Sequence, residues 1–379
     1  MSYIALGDLI SKAKVEKCGS RDFPVLSMTM HDGIVFQNDR FKKDIASIDR
    51  SNYSVVNHNQ LVVSFPIDEG VLAVQDITEA GIVSPAYKIW NIDQERVIPK
   101  YLEIWLRSPR SIEYYKSKLR GTTARRRSIP EDDFLGMPVS IPSIAIQRYA
   151  VDLIARIRQI MQSRQEQLST LDDLIRARFV EMFGDVKTNP YGFEKRPLKE
   201  TCTVVTGNTP SRSVSEYYGD SIEWIKTDNI IAGQLNPSRA NEYLSDEGAK
   251  VGRTVGKGAI LMACIAGSIA SIGRVCITDR GVAFNQQINA VIPKQYDSLY
   301  LYVMLQISKE YLVEEINMAL KGILSKSKLE NKQFIVPPMD EQKRFAMFAT
   351  QIDKSKDAIK KSLAETQTLF DSLMQKYFG

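Results

Sequence analysis

The sequence predicts an α+β fold: two similar mixed α/β globules joined by two long antiparallel coiled-coil helices, arranged as an internal repeat with pseudo-twofold symmetry. Three observations predict it. Residues 141–184 align with residues 336–379 at a constant offset of 195 without a gap. Both copies carry helical apolar spacing, and each follows a mixed stretch containing strand-like runs.

The helices come first because they carry the repeat. Seven of the 44 aligned positions are identical: Pro142/Pro337, Gln147/Gln342, Ile157/Ile352, Leu168/Leu363, Leu174/Leu369, Phe183/Phe378 and Gly184/Gly379. In the second copy Ile359, Leu363, Thr366, Phe370, Leu373 and Tyr377 step by four and three, the seam of a coiled coil. Their counterparts are Arg164, Leu168, Leu171, Ile175, Arg178 and Met182. Each copy opens after proline and closes on Phe-Gly, with glycine as a helix stop. A helix over 147–183 would be roughly 55 Å long at 1.5 Å per residue, too long for one small domain to bury, so its apolar stripe needs the other copy.

The globules occupy what remains. The expected division is a first globule over 1–146, a first spacer helix over 147–184, a second globule over 185–340 and a second spacer helix over 341–379. Leu61-Val62-Val63-Ser64-Phe65 and Ala259-Ile260-Leu261-Met262-Ala263 read as strands. Gly81-Ile82-Val83 corresponds to Gly281-Val282-Ala283, and different residues follow in the two halves: a shared scaffold with different decoration.

Composition is that of an ordinary globular chain, with 44% hydrophobic and 25% charged residues. A formal charge of +5 is modest for 379 residues, so any polyanion footprint must come from local clustering. Cys18, Cys202, Cys264 and Cys276 form no C-x-x-C pair, and neither His31 nor His58 is spaced for zinc, so free cysteines and no metal are expected. No apolar run is long enough for a membrane span and the start lacks signal-peptide features; the expectation is a cytoplasmic protein with no membrane contact.

Local clustering does occur, and in both halves. Arg120-Gly121 precedes Arg125, Arg126 and Arg127; Lys321-Gly322 precedes Lys326 and Lys328. Aligned on the glycine, Arg120/Lys321, Arg125/Lys326 and Arg127/Lys328 coincide. Such side chains would neutralise phosphates, whereas sequence choice needs groups that read base edges, Arg on guanine and Asn or Gln on adenine. Candidates of that type are Arg212, Asn229, Asn285, Gln286 and Gln287 in the second half, and Arg125, Arg126 and Gln75 in the first.

A succession of motifs carries a family resemblance. Phe183-Gly184-Asp185, Asn189-Pro190-Tyr191-Gly192-Phe193, Thr206-Gly207-Asn208-Thr209-Pro210-Ser211 and Glu223-Trp224-Ile225-Lys226-Thr227-Asp228-Asn229-Ile230 stand in order. Ala270-Ser271-Ile272-Gly273-Arg274, Asn285-Gln286 and Val336-Pro337-Pro338-Met339-Asp340-Glu341-Gln342 follow. Together they resemble the specificity subunits of type I restriction-modification systems, with two target-recognition domains. In the first half Gly81-Ile82-Val83-Ser84-Pro85-Ala86-Tyr87 is similar, but the Gly-x-Thr-Pro element is missing, and Ala145 and Ile146 stand where the second copy has Asp340 and Glu341.

The resemblance implies a chain that recognises a bipartite site on double-stranded DNA and positions two methyltransferase subunits and the restriction/translocase subunits. S-adenosylmethionine, ATP and Mg would then belong to those partners, with no cofactor in this chain. The alternatives are a specificity subunit of a related multi-subunit modification system, or a self-contained restriction or methylation enzyme. Motifs speak against the last. Asn189-Pro190-Tyr191 lacks the second proline of an adenine methyltransferase site, and the stretch from Gly252 to Gly258 is one residue short of a P-loop. Glu330-Asn331-Lys332 has the Glu-x-Lys spacing of some nucleases but no suitable upstream aspartate pairing, and reads as surface charge. No catalytic residue is therefore expected. The long helices would act as a ruler, with half-site centres near one DNA turn, ~10 base pairs, apart.

Overall fold

The computed structural model describes residues 3–30, 32–40, 50–119, 129–314, 316 and 322–379. The chain divides into two compact units, Met1–Gln165 with Lys361–Gly379, and Glu166–Lys360. Both boundaries fall inside long helices: Ile144–Phe183 and Met339–Phe378, 40 residues each. The helices begin two or three residues earlier than the sequence suggests, directly after Pro142-Ser143 and Pro337-Pro338. Each helix thus gives its first half to the globule that precedes it and its second half to the other unit, instead of standing apart as a spacer.

The first unit is built on a four-stranded antiparallel sheet in the order Ile10–Lys12, Lys88–Ile92, Leu61–Val63, Leu72–Val74. Its strands are short, and Leu61–Val63 and Leu72–Val74 are buried at every position. Helix Pro99–Leu106 lies against it with Tyr101, Leu102, Trp105 and Leu106 fully buried. Tyr3–Ala5 pairs with Pro138–Ser140, closing the globule just before the long helix starts. From that helix Ala150 and Ile154 enter the core, and from the second long helix Phe378 does, its ring 5.1 Å from that of Tyr101. Tyr149 meets Tyr377 at 6.3 Å and Arg158 lies 5.6 Å above the ring of Phe370, so the two helices run antiparallel in this unit.

The second unit repeats the plan. Its sheet order is Cys202–Thr206, Ile288–Pro293, Ile260–Ala263, Val275–Ile277, again antiparallel. Helix Ser298–Ile307 takes the place of Pro99–Leu106, and Lys195–Pro197 pairs with Gln333–Ile335. Phe345 and Ala349 enter the core from the helix that follows this globule, Phe179 and Phe183 from the helix that precedes it. Phe183 meets Tyr300 at 4.9 Å, the counterpart of the Phe378–Tyr101 contact. Phe179 meets Phe345 at 5.4 Å and Lys356 bonds Asp172 at 2.5 Å, again an antiparallel pairing. The seam residues Ile359, Leu363, Thr366, Phe370, Leu373 and Tyr377 are all half-buried, as a coiled-coil seam requires.

The decoration differs. The second unit adds a five-stranded sheet in which Ile222–Ile225 runs parallel to Val282–Phe284. In the first unit the corresponding Ala80–Val83 pairs antiparallel with Ser54–Asn57. Among the described residues no helix is long and apolar enough to cross a membrane, and no group of three His, Cys, Asp or Glu side chains is placed to hold a metal. All four cysteines are free and buried.

Candidate nucleic-acid interface

The second globule shows how the ordered motifs build a surface. The strand Cys202–Thr206 ends where Thr206 Oγ1 donates to Asn289 Oδ1 at 2.7 Å. Gly207 then crosses the turn at Phe284–Asn285 so closely that a Cβ would lie 2.2 Å from the Asn285 carbonyl oxygen. No other residue fits there without moving backbone. Asn208 fastens the loop on both sides: its Nδ2 donates to Val251 O at 2.9 Å, and its Oδ1 accepts from the Arg253 N–H at 2.7 Å. The Trp224 indole donates to Asn208 O at 3.3 Å, and the Tyr218 hydroxyl to Pro210 O at 2.6 Å.

On this base stands a cationic ledge. Arg212 lies 4.4 Å above the ring of Tyr218 and 5.1 Å above that of Trp224, and Lys226 lies 5.1 Å from Trp224. Glu242 accepts from both, from Arg212 at 2.5 Å and from Lys226. Those two bonds hold its carboxyl below the usual range. Two cations share one carboxylate, and Arg253 is exposed next to the loop. The ledge therefore keeps a net positive charge and a donor-rich surface, the chemistry that phosphate oxygens seek.

Around the buried Glu223, next to Trp224, lies an ion cluster that sequence reasoning missed. Glu223 accepts Arg280 Nε at 2.8 Å and Nη2 at 2.6 Å, Arg239 Nη1 at 2.5 Å and the Ala240 N–H at 3.0 Å. Burial alone would raise its pKa; the bonds from Arg280, Ala240 and Arg239 outweigh it and hold the group at about 2. The cluster ties residues 237–240 and Arg280 to the strand carrying Trp224. Its only trace in the sequence is an acid beside a tryptophan in an otherwise strand-like run.

The nominated base readers divide by burial. Arg212 and Gln286 are exposed, and Gln286 accepts from the Thr209 hydroxyl. Gln287 is half-buried. Asn229 is buried and holds its own turn: Oδ1 accepts from Lys226 N at 2.9 Å, and Nδ2 donates to Ser238 Oγ and Arg239 O at 3.1 and 3.0 Å. Asn285 is buried too, with both side-chain groups committed to Gln287. In the first unit Gln75 is fully buried and clamps its loop through Ile77 N, Thr78 N and Thr78 O. These three amides build loops, as short polar side chains in turns do.

The basic segments need a correction of register. Arg120, Arg125, Arg126, Arg127 and Lys321 lie outside the described residues. Lys326 and Lys328 are exposed on the short helix Lys326–Asn331, capped by Ser325, with Lys326 3.5 Å from Glu330. The fold aligns this helix with Glu131–Leu135: Leu198 N–H bonds Lys332 O at 2.9 Å just as Leu6 N–H bonds Met137 O at 2.8 Å. Lys326 and Lys328 thus stand where Glu131 and Asp133 stand, six positions off the pairing made on the glycines, because the segments before these helices differ in length. In the first unit Glu131 itself is held below the usual carboxylate range, chiefly by its bond from Lys88.

The architecture defines a class of protein: a duplicated α/β module in which each globule is completed by parts of two long helices. Residues 190–367 match the model of the type I restriction modification DNA specificity domain. That match covers a little under half of the chain. The chain is 32% identical over 120 residues to the type I restriction enzyme HindI specificity subunit of Haemophilus influenzae, covering 31% of this chain and 25% of that protein. It is 27% identical over 175 residues to the MjaIX specificity subunit of Methanocaldococcus jannaschii, covering 45% and 40%. The matches thus span less than half the length of these curated relatives. In fold, the whole chain matches 97% of a chain from a structural study of complex assembly and conformational transition of the type I R-M system, with TM-score 0.62 and 17% identity. It also matches 96% of a type I restriction-modification S subunit from M. genitalium, with TM-score 0.59 and 13% identity.

Proposed function

We infer that this chain is the specificity subunit of a type I restriction-modification complex. It recognises a bipartite site on double-stranded DNA, one half-site per globule, and performs no chemistry itself. The observation that supports this reading is the duplication: two globules of one plan, each with its core completed by both long helices, in a chain whose residues 190–367 match the model of a DNA specificity domain. A single chain with twofold internal repetition offers two equivalent docking surfaces to two copies of one partner. Two methyltransferase subunits and the restriction/translocase subunits would bind there, bringing S-adenosylmethionine, ATP and Mg, and the helices would set the unread spacer.

The test is a methylome. In the native host, N6-methyladenine should lie in one bipartite motif and vanish when the gene for this chain is deleted. The purified chain alone, given S-adenosylmethionine, Mg and DNA, should neither methylate nor cleave. Methylation by the isolated chain would overturn the reading.

A further inference from the structure

Four strand ends meet at one end of the second unit's four-stranded sheet. Thr206, Ile288, Ala263 and Val275 lie there in adjacent strands, so the loop after Thr206, the turn before Ile288 and the loop from Ala263 to Val275 leave the sheet together. The first carries Arg212 and the second Gln286 and Gln287. Cys264 N–H bonds Gln287 O at 2.8 Å, which ties the turn to the third loop. With neighbouring strands about 4.8 Å apart, the two outer strands of this end are separated by about 14 Å.

At the edge away from Arg212, the third loop holds a second pair of cations. Ile272 is fully buried and pins the loop, and Gly273 turns it at φ 75° into the strand Val275–Ile277. Lys309 Cγ lies 3.5 Å from where a Cβ on Gly273 would stand, and its Nζ donates to Ala270 O. Arg274 donates to the next residue, Ser271, through Nε to the carbonyl at 3.4 Å and through Nη2 to the hydroxyl. Both cations are thus fastened to consecutive residues of one loop.

No acid answers them. The loop has no carboxylate between Cys264 and Arg274, and among the described residues neither Arg274 nor Lys309 is ion-paired. Glu310, the acid next in sequence to Lys309, lines a cavity with Asp185 and Tyr311. The pKa of Lys309 is lowered, first by burial and then by the charge of Arg274. Like charges held together without a counter-ion cost stability in the free chain, and a bound anion offsets that cost. A single acidic side chain could satisfy one edge. The two strands of a DNA duplex satisfy both at once, because the phosphates flank a major groove about 12 Å wide, close to the width of this sheet end.

We propose that Arg274 and Lys309 clamp a phosphate of one DNA strand while Arg212 and Lys226 hold the other strand, which seats this end of the sheet across the major groove. The proposal rests on the DNA-recognition reading above and adds to it the pair that sets the second globule's register on its half-site. Phosphate contacts position and do not specify, so the clamp acts by bringing Gln286, between the two edges, to the groove.

The experiment uses the chain assembled with its methyltransferase partner on a duplex carrying the genomically mapped site. Phosphates of both half-sites are replaced one at a time by neutral methylphosphonate. One replacement that weakens wild-type binding should become silent in the double variant Arg274→Gln, Lys309→Gln, and in one half-site only. The slope of log K against log salt should fall by about two in the double variant and by about one in Lys309→Gln alone. The exchange Arg274→Lys with Lys309→Arg keeps both charges and should keep the wild-type slope, which separates charge from folding. An unchanged slope and an unchanged methylphosphonate profile in the glutamine variants would overturn the clamp alone. So would loss of the methyltransferase partner with DNA contacts intact, because the pair would then belong to a protein interface. A wild-type complex that does not prefer the site over random duplex would overturn the DNA reading and the clamp together.

Discussion

Gln147 and Gln342 make the same three hydrogen bonds in the two globules. Gln147 Oε1 accepts from Ile98 N at 2.8 Å, and its Nε2 donates to Arg96 O at 3.1 Å and Pro142 O at 2.9 Å. Gln342 Oε1 accepts from Asp297 N at 2.9 Å, and its Nε2 donates to Gln295 O at 3.3 Å and Pro337 O at 2.8 Å. Each buried amide ties the entry of a long helix to the chain entering the sheet-packed helix, Pro99–Leu106 or Ser298–Ile307. Replacing Gln342 with alanine leaves backbone groups without partners and should cost about 1–3 kcal/mol. Gln147→Ala should do the same in the other unit. Calorimetry of the two variants checks this, and near-wild-type unfolding of either would show that water replaces the brace.

The ledge on the second globule makes a charge prediction. Arg212→Ala should weaken DNA binding and lower the slope of log K against log salt by about one. Glu242→Gln removes the carboxylate that Arg212 and Lys226 share, so it should strengthen DNA binding and steepen the same slope. A salt titration of the assembled complex measures both. Opposite signs are required; matching losses would mean that Glu242 only holds the loop.

Acid should unfold the second globule through Glu223. Its carboxyl is held at about 2 in the folded chain, below the ~4.3 of a free glutamate. The unfolded state therefore binds the proton first, and the stability this cluster contributes is full above about pH 4.5 and lost as pH falls toward 2. Glu223→Gln should be less stable at neutral pH and show a flatter pH dependence across that window. Fluorescence-monitored unfolding between pH 2 and 7 reads it, and parallel curves for the two proteins would refute the assignment.

The proposed spacer role of the long helices is tested by lengthening them in phase. Seven residues added to each long helix at the unit boundaries, after Gln165 and after Lys360, preserve the seam and extend each helix by about 10 Å. The preferred spacer should grow by about three base pairs while both half-sites stay the same. Methylome sequencing of the variant decides it, since an unchanged spacer removes the helices from spacing.

Much of this frame was legible in the sequence because repetition survives divergence where geometry is strict. Pro142/Pro337, Gln147/Gln342 and Phe183/Phe378 are identical for reasons now visible: helix entry, the amide brace and the aromatic that enters the core. Leu174/Leu369 is different, since both side chains are exposed and nothing in the structure explains their identity. The candidate site was harder to read. Asn229 and Asn285 have the chemistry of base readers, and only their burial shows that their groups are already used. Phe65 closed a run that reads as a strand, yet the strand stops at Val63 and the ring is left outside. The lysines were paired through a glycine in segments of unequal length, where one-dimensional alignment has no fixed point.

Phe378 completes the core of a globule whose other members are almost all made before residue 155. During synthesis the first globule emerges before the second, but its hydrophobic centre lacks that aromatic until residue 378 has been added and emerged. The second unit, Glu166–Lys360, is contiguous and can close in order of translation. The nascent protein would therefore finish its later half before its earlier one, which makes the N-terminal globule the part that needs chaperone protection longest.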